Sequence, residues 1–170
     1  MPVALAADLA AILDRDLRTL RRELEAYPDE RQIWQPVTGL ANTAGTLALH
    51  LAGNLKHYVG ACWGGTGYVR NRDAEFARRD VPRAELIAEI ERARAAVAGG
   101  LGAVGPGELD AEYPELIGGC RVRAGDYLVH TAVHLAYHLG QVDSHRRVVT
   151  GTGEGVGAVK PAELGSARKD

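Results

Sequence analysis

The sequence predicts an all-α protein, a four-helix bundle whose amphipathic helices are joined by long connections. Three observations carry that expectation. Several stretches repeat apolar residues at steps of three and four, the period of a helix with one buried stripe. Clusters of glycine and proline bound those stretches. Residues 127–150, YLVHTAVHLAYHLGQVDSHRRVVT, set His130, His134 and His138 four residues apart, which stacks three imidazoles on one helical face.

The first helix is expected from Leu5, Leu9, Ile12, Leu13, Leu17, Leu20 and Leu24, with arginines and acids on the other faces. Pro28 and Asp29 end it, and residues 29–40 read as a loop anchored by Trp34. Asn42 or Thr43 can cap the second helix, which should run to about Cys62 with Leu47, Leu51, Leu55 and Tyr58 on its buried stripe. His50, Asn54 and His57 lie on one flank of that stripe, within ~60° of one another at ~100° per residue. Polar groups so placed look into the bundle or along its edge.

Residues 60–80, GACWGGTGYVRNRDAEFARRD, begin with glycines and end in charges. The segment is long for a helix connection and is a candidate functional loop. Tyr68, Arg70, Arg72, Asp73 and Glu75 could line a pocket mouth, Tyr68 and Arg70 closing over a ligand. Val81 and Pro82 open the third helix, Leu86, Ile90, Ala93 and Val97 form its stripe, and Gly99 with Gly100 should close it. Residues 110–123 are β-leaning around Pro114 and Gly118-Gly119 and suit a short hairpin or loop. The histidine helix follows, with Asp126 as candidate cap. One bundle domain over residues 1–150 and a loose or partly packed tail over 151–170 complete the expected layout.

Composition narrows the function classes. A chain of 170 residues should bury about 68–70% of the surface exposed when unfolded, so no disulfide is needed to hold it together. Its net charge is −2, with no polybasic run, and two tryptophans and one phenylalanine offer few stacking platforms, which argues against nucleic acid. No apolar stretch approaches the ~18 residues of a membrane span, and the opening MPVALAADLA lacks the character of a secretory signal. Cys62 and Cys120 form no CxxC pair and read as reduced thiols of a cytoplasmic protein.

Two neutral imidazoles at i and i+4 can bind one metal ion, but a stable site needs a third ligand. His134 and His138 supply the pair, and His50 on a facing helix is the candidate third. His130 is expected to be a hydrogen-bonded core residue, and His57 and His145 surface or rim groups. Gln141 could orient His138 or stabilise the helix contact, and Asn54 could support the site. Imidazole suits several transition metals, so a divalent ion such as zinc, nickel, iron or manganese is expected without a choice among them.

The run His134-Leu-Ala-Tyr-His138-Leu-Gly-Gln141, together with His50 in LALHLAGNLKHY, resembles the DinB/YfiT-like superfamily of metal-dependent enzymes. That family's usual ending is His-x-x-x-His-Arg-Gly-Gln, so Leu139 stands where an arginine is common. The resemblance covers about residues 5–147. It implies an up-down-down-up four-helix bundle with a three-histidine metal site on His50, His134 and His138. It also implies a thiol-transferase or hydrolase acting on a small molecule such as a thiol adduct; Tyr68 or Asp73 is the candidate accessory catalytic group, and a homodimer is expected. The alternative is a non-catalytic metal-binding or stress-response dimer.

Overall fold

The computed structural model describes residues 4–168. Residues 1–3 and 169–170, the ends of the expected domain and tail, lie outside the described residues. Helix α1 spans Ala4–Glu25, α2 Ala44–Leu55, α3 Arg72–Ala77, α4 Arg83–Ala103 and α5 Ala124–Thr150. Short 3-10 turns occupy Glu30–Trp34 and Pro161–Glu163, and α2 continues as a π-helical segment over Lys56–Ala61. The protein is all-α: among the described residues the extended pairing is limited to two isolated antiparallel bridges, Glu112 with Arg123 and Ile117 with Cys120. Those bridges make residues 110–123 the expected small hairpin, turning through Gly118 and Gly119, both at positive φ, where glycine carries no Cβ penalty.

Helix α1 packs against α4 and α5, and α2 packs against the same two. The α1 stripe of Leu9, Leu13, Leu17, Leu20 and Leu24 is buried, but Leu5 is 43% exposed and Ile12 only half-buried. At ~100° per residue both sit about 80–100° from the centre of that stripe, so they fall on its fringe. Trp34 anchors the first connection as expected: its indole Nε1 donates to the Val81 carbonyl at 3.1 Å. Its ring lies on α2 where a Cβ at Gly45 would come within 2.5 Å of it.

Three expectations about helix ends and polar groups need correction. Gly99 and Gly100 do not close the fourth stretch, because α4 continues to Ala103. Gly100 instead lets α4 meet the π segment, since a Cβ there would stand 2.4 Å from the Val59 carbonyl oxygen. Asp126 does not cap α5; it lies within the first turn and pairs with Arg123 at 2.6 Å. His145 is no rim residue but is fully buried. Its Nε2–H donates to the Gln35 carbonyl at 2.8 Å and its Nδ1 accepts from the Tyr27 hydroxyl at 2.7 Å. Both ring nitrogens are thereby satisfied, which is what allows a neutral imidazole in the core. Burial lowers its pKa, partly opposed by the Gln35 contact.

The tail is held at several points. Arg22 donates to the carbonyls of Val156 and Gly157 at 3.1 and 3.2 Å, and Arg146 to that of Glu154 at 2.8 Å.

Candidate metal centre

The centre forms where α2 and α5 face each other. His50 meets His134 in one layer and Tyr58 meets Tyr127 in another, with ring centroids 5.2 Å apart in both. Position rises along α2 as it falls along α5, so the two helices run antiparallel. Thr43 starts α2, its hydroxyl accepting from the Thr46 amide at 3.3 Å, and His50 follows two turns later. On α5 the four-residue spacing brings the His134 and His138 rings to 4.6 Å.

One donor nitrogen from each of His50, His134 and His138 lies within 4.8 Å of the others, a group that could hold a metal ion. The His50 Nε2 to His134 Nε2 distance is 3.3 Å. A tetrahedral centre with bonds of ~2.0–2.1 Å separates its nitrogens by about 3.3–3.4 Å, so this edge already matches.

Hydrogen bonds set which nitrogens face inward. His138 Nδ1–H donates to Gln141 Oε1 at 2.7 Å, leaving the Nε2 lone pair free. His50 Nδ1–H donates to Glu75 Oε2 at 3.1 Å, which likewise frees Nε2. Arg70 grips the same carboxylate through Nε and Nη2, both at 2.8 Å. Its Nη2 also stands 3.2 Å from His50 Nδ1, but a guanidinium only donates, so that contact reflects the oxygen the two groups share. Such carboxylate–histidine pairs fix tautomer and ring orientation at metal sites. Glu75 is 6% exposed. Burial works against its charge, but hydrogen bonds from Arg70 and His50 outweigh this and hold it below the usual carboxylate range. Burial first, then the neighbouring His138, His50 and His130, push His134 down to about 4. It is therefore neutral at pH 7, the form a metal requires.

The three imidazoles line a polar cavity of about 440 Å³. Asn54, Tyr58 and Tyr127 lie on its walls, with Phe76 against His50 at 4.9 Å between ring centroids. His130 is not a core residue; it is exposed on the cavity wall and stacks on Tyr127 at 5.8 Å. His57 is not part of the cavity lining; it pairs instead with Glu115 at 3.0 Å. Tyr68 and Asp73 lie outside the cavity lining. Tyr68 borders a neighbouring cavity of about 170 Å³, with Lys56 Nζ 4.3 Å from its ring, and Asp73 is exposed. Arg70 lines the cavity and clamps Glu75. Leu139 packs in the core at 5% exposure, away from the rim. The charged end of residues 60–80 did signal Arg70 and Glu75, whereas Phe76 carried no signal beyond being the chain's one phenylalanine.

Gly53 lets Glu75 approach α2, since a Cβ there would stand 2.0 Å from Glu75 Oε1. Helix propensity alone favours Gly53→Ala by about 1 kcal/mol. We expect the opposite at the centre: the carboxylate is pushed off His50 and metal affinity falls about 10–100-fold. Competition against a chelator of known affinity measures this, and an unchanged affinity would show that Glu75 does not support His50.

No curated protein matches the chain at a significant level. A family model does match, over residues 12–142, the span that carries all three clustered histidines and the residues that orient them. The chain belongs to the DinB superfamily.

Proposed function

We propose that the protein is a metal-dependent enzyme in which His50, His134 and His138 hold one divalent transition ion: zinc, nickel, iron or manganese. The reaction we infer is of thiol-transferase or hydrolase type on a small molecule, such as a thiol adduct. One observation carries this reading. Three inward-facing imidazoles converge on the wall of an open polar cavity, and a three-ligand site beside a cavity keeps positions for substrate. A bound ion would supply Lewis acidity, lowering the pKa of a group that coordinates it.

The chain's own residues have separate tasks in this reading. Glu75 and Arg70 fix His50, Gln141 fixes His138, and Asn54 offers an amide to a ligand in the cavity. Tyr58 and Tyr127 form an apolar wall along which the ligand's carbon frame can lie. The accessory roles considered for Tyr68 and Asp73 would require the 60–80 segment to move, whereas Tyr127 and His130 already line the cavity.

The same reading takes α1, α2, α4 and α5 as the up-down-down-up DinB/YfiT-like bundle, a single domain over residues 1–150. Among the described residues no helix is long and apolar enough to cross a membrane. Free Cys62 and Cys120 suit a reducing cytoplasm. The homodimer would use α5, where Val129, Val133 and Tyr137 are 45%, 61% and 65% exposed, and light scattering in solution tests it.

The deciding experiment is elemental analysis of untagged protein, followed by screening thiol adducts and hydrolysable esters with that metal restored. We expect near-stoichiometric metal and turnover that disappears in His134→Ala. Metal without turnover on any substrate class would favour the non-catalytic alternative, and absence of metal would sink both.

A further inference from the structure

The charge balance of the cavity is one-sided. Among the described residues its lining includes Arg70, Arg72 and four histidines, but no aspartate or glutamate. With Arg70 paired to Glu75, Arg72 supplies the uncompensated positive charge of that lining, which favours an anion. The two arginines differ in what they are free to do. Arg70 spends Nε and Nη2 on Glu75, and that carboxylate cancels its charge. Arg72 is exposed, and its guanidinium contacts the Phe76 ring. Its guanidinium lies 4.8 Å over the Phe76 ring, a contact that holds the planar group in place without consuming its donors. Phe76 in turn packs 4.9 Å from His50. These two ring spacings place the Arg72 guanidinium no more than about 10 Å from the His50 ring.

We propose that the cavity's ligand is a small organic anion whose carboxylate is received by Arg72 while its reacting group lies at the histidine cluster. The inference rests on the metal-centre reading for the position of the reacting group, and it adds the substrate class and the residue that selects it. A guanidinium presents two parallel N–H donors that match a carboxylate's two oxygens. That upper bound on the distance from the cluster then limits the ligand to a short molecule with its charge a few bonds from the reacting atom. Arg70 plays no part in this selection; its task is the orientation of His50.

The test is calorimetric titration of protein whose metal content has first been measured. The probes are malonate, succinate and glutarate, their neutral diamides, and inorganic phosphate. A dicarboxylate should bind at least about tenfold more tightly than its diamide, because the diamide leaves Arg72 without a charged partner. Arg72→Ala should weaken the dicarboxylate about 10–100-fold with metal content unchanged, and Arg72→Lys, which keeps charge but loses the fork, should fall between. If metal is present and Arg72→Ala binds the dicarboxylate as tightly as the wild type does, the inference is overturned. Arg72-dependent binding of phosphate in preference to every dicarboxylate would overturn the carboxylate assignment. If the wild-type protein holds no metal yet keeps the Arg72-dependent preference, the metal centre falls and the anion site stands.

Discussion

Replacing any one of His50, His134 and His138 with alanine should reduce bound metal from about one ion per chain to trace levels, since two imidazoles rarely hold an ion alone. His57→Ala, outside the cavity, should leave the content unchanged. Elemental analysis of the four variants reads this directly. The same site predicts a stability signature. An ion that binds only the folded state at 100 times its dissociation constant adds about 2.7 kcal/mol, or roughly 5–10 °C in Tm for a chain of this size. That increment should fade as pH drops below ~6, where unperturbed imidazoles protonate. His134, held to about 4 by burial and its histidine neighbours, gives the metal-free protein its own acid limb. A folded-state pKa below the unfolded ~6.5 means that the native state binds fewer protons, so stability is full above ~6.5 and declines as pH falls toward 4. Buried His145, also lowered, acts in the same direction. A melting curve that ignores both metal at pH 7.5 and acid between 6.5 and 4 would contradict the geometry of the cluster.

Arg146→Ala should be among the most destabilising single changes in the chain. Arg146 and Glu23 are each 1% exposed and hydrogen-bond through Nε and Oε2. Removing the guanidinium leaves a carboxylate buried without its partner, which costs about 3–5 kcal/mol. At about 2–4 °C per kcal/mol, Tm should fall by roughly 6–20 °C. The change also releases the Glu154 carbonyl, which Arg146 Nη2 holds at 2.8 Å, so proteolysis of the tail should accelerate. The double variant Arg146→Met/Glu23→Leu separates pairing from packing. Replacing a buried ion pair with apolar side chains of similar volume is often neutral, so it should recover most of the lost Tm. If it melts as low as the single variant, the loss comes from packing or from the tail contact.

Much of the site was legible from local spacing. His134 and His138 share a face because four residues only slightly overshoot one helical turn, and the leucine steps of α1 marked its buried side. Trp34 stood out as an apolar anchor for its connection. His50 could be named because a pair of imidazoles is an incomplete ligand set, and that requirement searches the chain for a partner. The small hairpin was legible too, because paired glycines between β-leaning residues mark a tight turn.

Other features had no local signature. Arg146 comes four residues after Val142 and seven after Leu139, squarely on the core face of α5, yet hydrophobic periodicity assigns a charged residue to solvent. His145 was misplaced for the same reason. Gly99 and Gly100 read as a stop, because a glycine that ends a helix and one that admits a neighbouring backbone look alike in sequence. Tyr68 was preferred over Glu75 as a site residue, but α3 and Gly53 bring Glu75, not Tyr68, against His50. Spacing along the chain decides which side chains share a face, because helix geometry is local. Which polar groups can be buried was decided only by the tertiary structure. Their desolvation is offset solely by partners such as Glu23, Tyr27 and Arg70, which reach them only once the helices have packed.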